Sequence, residues 1–236
     1  MSRVISVVGT AGGVGASTLA TALAVRAAHH GASVVALDAR PYGGGLDVPF
    51  GLDEQPGVRW RDLAECSGNI DGTELFRRLP LAARCGVVSF DRDPPLLPPR
   101  EALEAVLGAL GHLADLVVVD APRAGEPWEE ELADLSDEVI ALTGTSVTAL
   151  ASAGASLAHL DLLHDGVWLA CRTDRGQSDL PHTLTQVLGL PLLGALPTDS
   201  KVSAALADGR PPPARGAYTR AVDALLAGLR PVRRAA

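Results

Sequence analysis

The stretch that decides the fold is Gly9-Thr10-Ala11-Gly12-Gly13-Val14-Gly15-Ala16-Ser17-Thr18. It follows a short apolar run, residues 4–8, and precedes an alanine- and leucine-rich run, residues 17–30, that Gly31 closes. A glycine-rich turn between a buried strand and the N-terminus of a helix presents backbone N–H groups to an anion. The stretch therefore predicts a phosphate loop. The alternative is a tight strand-to-helix turn that binds no ligand.

The loop departs from the usual phosphate-loop pattern, G-x-x-x-x-G-K-[ST]. Ala16 occupies the lysine position, and the first glycine, Gly9, comes one position early. Ser17 keeps the hydroxyl that could bind Mg²⁺. We predict phosphate contacts from a continuous set of loop residues: Gly12, Gly13, Val14, Gly15, Ala16, Ser17 and Thr18.

Composition limits the class of protein. The chain has 236 residues, and Lys201 is the only lysine among its 20 basic residues. A hydrophobic content of 47% predicts a packed core. The net charge of −8 argues against a nucleic-acid partner, which needs a basic face. Three widely spaced cysteines are typical of reduced thiols in the cytoplasm: Cys66, Cys85 and Cys171.

Apolar runs alternate with longer helical patterns along the whole chain. Further strands are predicted at residues 33–37, 86–90, 116–119, 138–143, 166–171 and 192–196. The clearest further helices are predicted at residues 100–112, 147–163 and 218–229. Continuous apolar strands that alternate with helices predict a parallel sheet covered on both faces. No linker is visible, so we expect one α/β domain over residues 1–236.

The loop resembles the deviant Walker A motif of the MinD/ParA ATPase superfamily, Lys-Gly-Gly-x-Gly-Lys-[Ser/Thr]-Thr, with Ala11 and Ala16 replacing both lysines. Four further segments resemble the family in order and spacing: residues 34–38, 43–52, 116–122 and 193–199 with Val202. The resemblance implies a P-loop NTPase fold of the SIMIBI type, a three-layer sandwich with a mostly parallel central sheet. Its nearest group is the actinobacterial CpaE/TadZ-like or septum-site-determining proteins, often encoded beside secretion or pilus ATPases.

The resemblance also implies a site for ATP or ADP with Mg²⁺. Asp38 and Asp120, each at the end of an apolar strand, would be the catalytic acids. Mg²⁺ would be held by Ser17, Asp38 and Asp120, the carboxylates acting through water. Pro197 would lie on the adenine side. Arg40 stands where a second aspartate often positions the attacking water.

The missing lysines predict weak or absent ATP hydrolysis. In the family they neutralise the phosphates of the bound nucleotide and of the partner's nucleotide, and phosphoryl transfer depends on such charge stabilisation. Backbone N–H groups and the helix dipole would still favour binding. Arg40 and Arg123 could replace the lost charge; the alternative is that both are solvated loop arginines.

These features suggest a localisation or assembly factor for a pilus or secretion system, or for septum-site selection. Nucleotide would tune homodimer formation. Two alternatives stay open: a scaffold that binds no nucleotide, and an active ATPase that uses arginine in place of lysine. The expected partners are a secretion or pilus ATPase or division proteins, at the cell pole, septum or inner membrane face of the cytoplasm. Members commonly carry an N-terminal receiver-like domain, which we do not expect here because the chain starts at the first strand.

Two aromatic or apolar segments have two interpretations each. The last helix, residues 218–229, precedes Arg230, Arg233 and Arg234 and could lie on a membrane surface, so membrane association would be peripheral at most. Its narrow leucine stripe favours core packing instead. Trp60 lies in a segment, residues 57–63, that could face a partner or pack in the core.

Overall fold

The computed structural model describes residues 2–92, 96–174, 176–177 and 179–229. The strands in these residues form one sheet, in the order β3-β4-β2-β5-β1-β6-β7-β8, and only the β3–β4 pair is antiparallel. Their bounds are β1 Arg3–Gly9, β2 Val34–Asp38, β3 Leu81–Ala82, β4 Cys85–Val88, β5 Leu116–Asp120, β6 Glu138–Thr143, β7 Val167–Thr173 and β8 Leu192–Pro197. The predicted, mostly parallel sheet is confirmed.

Helices cover both faces of the sheet. Leu103 and Leu157 belong to the core cluster on one face, and Leu23 and Leu225 belong to the cluster on the other. The helices that supply these clusters and their loops are α1 Ala16–His29, α2 Asp47–Phe50, α3 Trp60–Leu63, α4 Gly72–Arg78, α5 Arg100–Leu110, α6 Glu129–Leu135, α7 Val147–Leu163, α8 Leu180–Leu188, α9 Ser200–Ala207 and α10 Ala217–Gly228. The three-layer sandwich is therefore confirmed.

The strand register brings the predicted site to one edge of the sheet. Asp38 and Asp120 are direct partners across the β2–β5 pair, and Val7 of β1 is the partner of Asp120 on its other side. Both carboxylates therefore lie on the β5 side of the end of β1, where the glycine-rich loop begins. In parallel sheets this edge, at the carboxyl ends of the strands, is where ligands bind.

Several short elements between β2 and β5 were not predicted. α2 and α3 have four residues each, and β3 has two, too few for a hydrophobic period to be visible. In this region Trp60 is completely buried, which confirms the core-packing interpretation for its side chain.

The last helix also packs in the core. Tyr218, Val222 and Leu225 of α10 are buried in the cluster shared with α1 and β8, which confirms the core-packing interpretation. Arg230, Arg233 and Arg234 lie outside the described residues. Within the described part of the chain, the model contains no helix with both the length and the apolar character needed to span a bilayer.

Trp60 connects this core to the site. Its indole Nε1 donates a 2.7 Å hydrogen bond to the backbone carbonyl of Asp38. Its ring stacks edge-on against Trp128, with centroids 4.9 Å apart, and Phe90 lies at 6.0 Å. Since no part of the indole reaches solvent, the hydrogen bond fixes the end of β2 from within the core.

We expect Trp60→Phe to lower the free energy of unfolding by about 1–3 kcal/mol, because it removes this hydrogen bond and leaves a void. Urea unfolding followed by circular dichroism measures the change. Tyr42→Phe is the control, since that ring is 81% exposed. Equal midpoints for wild type and Trp60→Phe would contradict the assigned role.

Candidate phosphate-loop site

The loop after β1 has an unusual supply of unpaired backbone donors. Gly13 and Gly15 have φ angles of 74° and 102°, a left-handed conformation that favours glycine. This curl leads directly into α1, which begins at Ala16. None of the N–H groups of residues 12–18 donates a hydrogen bond within the described part of the chain. The loop and the helix N-terminus together can therefore accept an anion.

Side chains from α7 and β7 hold the loop in this shape. Ser152 of α7 donates a 2.7 Å hydrogen bond to the carbonyl of Thr10. Arg172, in β7, donates from Nη1 to the carbonyls of Gly13 and Val14, at 3.3 and 3.5 Å. Its Nε also donates to the Thr198 hydroxyl at 3.3 Å. With their carbonyls engaged by Arg172, these loop peptides are braced from one side.

The sequence interpretation missed both Ser152 and Arg172. Arg172 comes directly after the predicted strand at residues 166–171, and the carboxyl ends of parallel strands meet at one edge, so its position was a usable signal. Ser152 lies in the second turn of a long helix, where nothing in the sequence separates it from Ser146 or Ser156.

Asp38 is buried at the end of β2 and is held by backbone donors. Its carboxylate accepts hydrogen bonds from the N–H groups of Arg40 and Leu46, both at 2.9 Å. Burial and then the charge of Asp120 raise the pKa of Asp38 well above its usual range, although these two hydrogen bonds oppose the shift. In the folded protein, ionising Asp38 is therefore costly.

Asp120 is equally buried and less well satisfied. Its Oδ1 has no hydrogen-bond partner in the described residues. Burial raises the pKa of Asp120, while a hydrogen bond from Ser17 and the charge of Arg40 lower it, and the net shift is upward. Two adjacent carboxylates that resist ionisation are a place where a bound cation would be strongly stabilised.

Arg40 and Arg123 both lie beside the loop, Arg40 near Ser17 and Arg123 near Gly12. Arg40 Nη1 is 3.4 Å from the Ser17 hydroxyl, and its buried Nε has no hydrogen-bond partner in the described residues. Arg123 Nη1 lies over Gly12, 3.6 Å from where a β-carbon would stand. Glu126, which the sequence interpretation also missed, accepts hydrogen bonds from Arg123 Nε and Nη2 at 2.9 and 2.6 Å.

The only lysine does not belong to this cluster. Lys201 is exposed, at the start of α9, where its backbone N–H donates to Asp199. Ala11 and Ala16 place methyl groups where the resemblance implies cations. In the described residues, no three His, Cys, Asp or Glu side chains are arranged to hold a metal. Any metal here would rely on two carboxylates, a hydroxyl and ligand oxygens.

A narrow cleft adjoins the loop on the side of β8. Pro197, predicted to lie near the adenine, is in its wall, opposite Val14 and Thr18. Tyr218 and Val202 complete an apolar lining, and Arg172 lies at its edge. The free volume is about 60 Å³, room for a few water molecules. A nucleotide base would need these walls to separate.

The comparisons with known proteins agree with this geometry. Residues 5–212 match the family model described as the CobQ/CobB/MinD/ParA nucleotide binding domain. An uncharacterized protein of Mycobacterium tuberculosis is 29% identical over 206 residues, 87% of this chain. That match covers 57% of the relative, so the chain spans little more than half of the relative's length.

Solved structures with the same fold include two archaeal proteins. The cell division ATPase MinD of Pyrococcus furiosus superimposes with a TM-score of 0.80 at 20% identity, over 97% of this chain and 98% of that one. The septum site-determining protein MinD of Pyrococcus horikoshii, complexed with Mg-ADP, gives 0.77 at 19% identity, over 95% and 94%. At these identities the likeness shows the fold.

We expect Asp120→Asn to stabilise the ligand-free protein, because it removes one of two adjacent buried charges at constant size. The raised pKa means that the folded state holds this proton more tightly than the unfolded chain does. The stability that Asp120 contributes is therefore complete below about pH 4 and is lost as the pH rises through its folded-state pKa. The variant should exceed wild type by roughly 1–2 kcal/mol at pH 8 and match it near pH 4.

Urea unfolding at four pH values between 4 and 8 measures this gap. Asp38→Asn is the matched control, because it removes the same charge but replaces an oxygen that accepts from Arg40 or Leu46 with an NH₂ donor. We expect that variant to gain less or to lose stability. A gap between Asp120→Asn and wild type that does not change with pH would contradict the account.

Proposed function

The chain belongs to the CobQ/CobB/MinD/ParA nucleotide binding domain family, and we propose that it binds ATP or ADP with Mg²⁺ and that the nucleotide tunes pairing with a second copy of the chain. One observation carries the proposal: the N–H groups of residues 12–18 are unpaired in the described residues and lie at the start of α1. The phosphates would accept hydrogen bonds from these groups, while Arg172 braces the loop from behind.

The acidic pair fits Mg²⁺ beside the phosphates. Asp120 Oδ1 is buried without a hydrogen-bond partner in the described residues, and Asp38 is paired with Asp120 on the adjacent strand. These carboxylates, acting through water, and the Ser17 hydroxyl would hold the ion. Mg²⁺ would neutralise phosphate charge. Oxygen ligands of this kind suit Mg²⁺, which usually keeps several waters.

Hydrolysis would be slow. Ala11 and Ala16 offer no charge to the phosphates, and the loss of one such donor in other enzymes costs about 2.7–4 kcal/mol in the transition state. Arg40 is the better placed compensating cation, since its Nη1 already lies 3.4 Å from Ser17 Oγ. Arg123 is engaged by Glu126.

The proposed role is localisation or assembly, as in the CpaE/TadZ branch, for a pilus or secretion system or for septum-site selection. Structural neighbours include a cell division ATPase and a septum site-determining protein, which supports a role of this kind. The chain would work in the cytoplasm as a homodimer and reach the pole, septum or inner membrane face through partners. Nucleotide-dependent pairing would act as the switch, and the partners would determine where in the cell the chain acts.

Two other functions have some support. The cleft beside Pro197 holds only about 60 Å³, which favours a scaffold that binds no nucleotide. The buried Nε of Arg40, which has no hydrogen-bond partner in the part of the chain that the structure describes, favours an ATPase that uses arginine. Calorimetric titration with ATP and Mg²⁺ separates the first from our proposal, and phosphate release at saturating ATP separates the second.

We expect Arg40→Ala to weaken Mg²⁺–ATP binding by about tenfold, because a charge-assisted hydrogen bond is lost. Calorimetry measures the dissociation constant. Arg210→Ala is the control; that exposed arginine pairs with Asp208. Affinity that is equal in Arg40→Ala and wild type would remove Arg40 from the site, and Arg123→Ala tests the second candidate in the same way.

A further inference from the structure

One carboxylate faces both of the arginines that flank the phosphate loop. Glu126 binds Arg123 twice through the side chain and once through the backbone, with Arg123 N–H donating to Oε2 at 2.9 Å. The same Oε2 lies 4.0 Å from Arg40 Nε. Glu126 is therefore shared between a guanidinium over Gly12 and a guanidinium beside Ser17.

The two arginines are held unequally. Arg123 is fixed by the two hydrogen bonds that its Nε and Nη2 donate to Glu126, which we call the fork. The shorter of the two measures 2.6 Å. Arg40 is beyond hydrogen-bond distance, and its Nε is buried without a partner in the described residues. A single carboxylate thus satisfies one cation fully and the other only through space, so the pair keeps unused capacity for an anion.

Glu126 is charged at neutral pH. Partial burial works to raise its pKa, but the hydrogen bonds from the backbone and side chain of Arg123, with the charges of Arg123 and Arg40, hold the pKa below its usual range. Its side chain is 31% exposed, and those of Arg40 and Arg123 are 26% and 43% exposed. Because these three side chains are only partly buried, the hydrogen bonds between Arg123 and Glu126 can break without unfolding of the core.

We propose that Glu126 is an internal competitor for phosphate: it occupies the arginines of this lysine-free loop, and only a ligand with several phosphate charges displaces it. The inference rests on the proposed nucleotide site. When Glu126 swings out, Arg123 and Arg40 become available to the phosphates. This competition favours di- and triphosphates over monophosphates, because the ligand must bring enough negative charge to replace the Glu126 carboxylate at the arginines.

A purely structural role for Glu126 is the alternative. The carbonyl of Arg123 accepts a hydrogen bond from the N–H of Glu126 at 2.9 Å, so residues 123–126 form a turn that the fork could merely brace. In that case removal of the charge loosens the turn and leaves anion affinity unchanged or lower. The competitor role predicts the opposite direction.

Glu126→Gln in the full chain separates the two roles, with Mg²⁺–ATP, ADP and AMP as ligands in calorimetry. We expect ATP affinity to rise roughly three- to tenfold, because this is the size of the free energy needed to break an exposed ion pair. We expect AMP affinity to change little. Glu74→Gln is the matched control: Arg77 donates to Glu74 from Nε and Nη2 at the same three-residue spacing, in α4. It should leave ATP affinity unchanged.

The outcomes distinguish this inference from the proposed function. If wild type binds ATP and Glu126→Gln binds it equally or more weakly, or if Glu74→Gln gains as much, the inference is overturned and the nucleotide site stands. If neither protein binds ATP, both are overturned. If only the variant binds ATP, the inference is supported and the wild-type nucleotide site is overturned.

Two further variants guard against misfolding and indirect effects. Glu126→Asp keeps the charge, but its side chain is too short to hold the fork. It replaces Glu126→Gln in the experiment if the Gln variant does not fold, and we expect from it a smaller gain in ATP affinity. In an Arg123→Ala background the gain from Glu126→Gln should shrink, because Arg123 makes most of the contacts. An undiminished gain in that background would overturn the inference.

Discussion

The structure depends on the placement of two buried carboxylates side by side at the ends of neighbouring strands. Asp38 and Asp120 are partners across β2 and β5, and β1 lies beyond Asp120. Burial and mutual repulsion oppose their ionisation. The fold compensates locally: backbone donors bind Asp38, the Ser17 hydroxyl binds Asp120, and Trp60 fixes the strand end from the core. Asp120 Oδ1 has no hydrogen-bond partner in the described residues, and a bound cation would satisfy it.

The phosphate loop beside these carboxylates would be satisfied by an anion instead of a cation. Its N–H groups lack acceptors within the described residues, and two arginines, Arg40 and Arg123, lie beside it. A ligand that brings a divalent cation to the carboxylates and phosphates to the N–H groups would satisfy both at once. Until it binds, Glu126 supplies negative charge to the arginines.

The sequence predicted the sheet and the edge at which the candidate residues meet, because those depend on local patterns. Apolar runs that end in Asp38 and Asp120, and glycines before Ser17, are visible in one dimension. The contacts made by Arg172, Ser152 and Glu126 were not predicted. Arg172 reaches the loop from 158 residues away in the chain, and Glu126 is identified by which arginine it binds. Such contacts depend on the strand register and on the side-chain rotamers, and neither of these leaves a periodic pattern in the sequence.

Calorimetry in buffers of different ionisation enthalpy tests the central claim, that a Mg²⁺–nucleotide relieves the buried acid pair. Preformed Mg²⁺–ATP is titrated into the full chain at pH 6.5 and at pH 8. Since both carboxylates have raised pKa values, binding should release protons at pH 6.5, less at pH 8, and less in Asp120→Asn than in wild type. Binding with no proton release at pH 6.5, or no binding at all, would contradict the account.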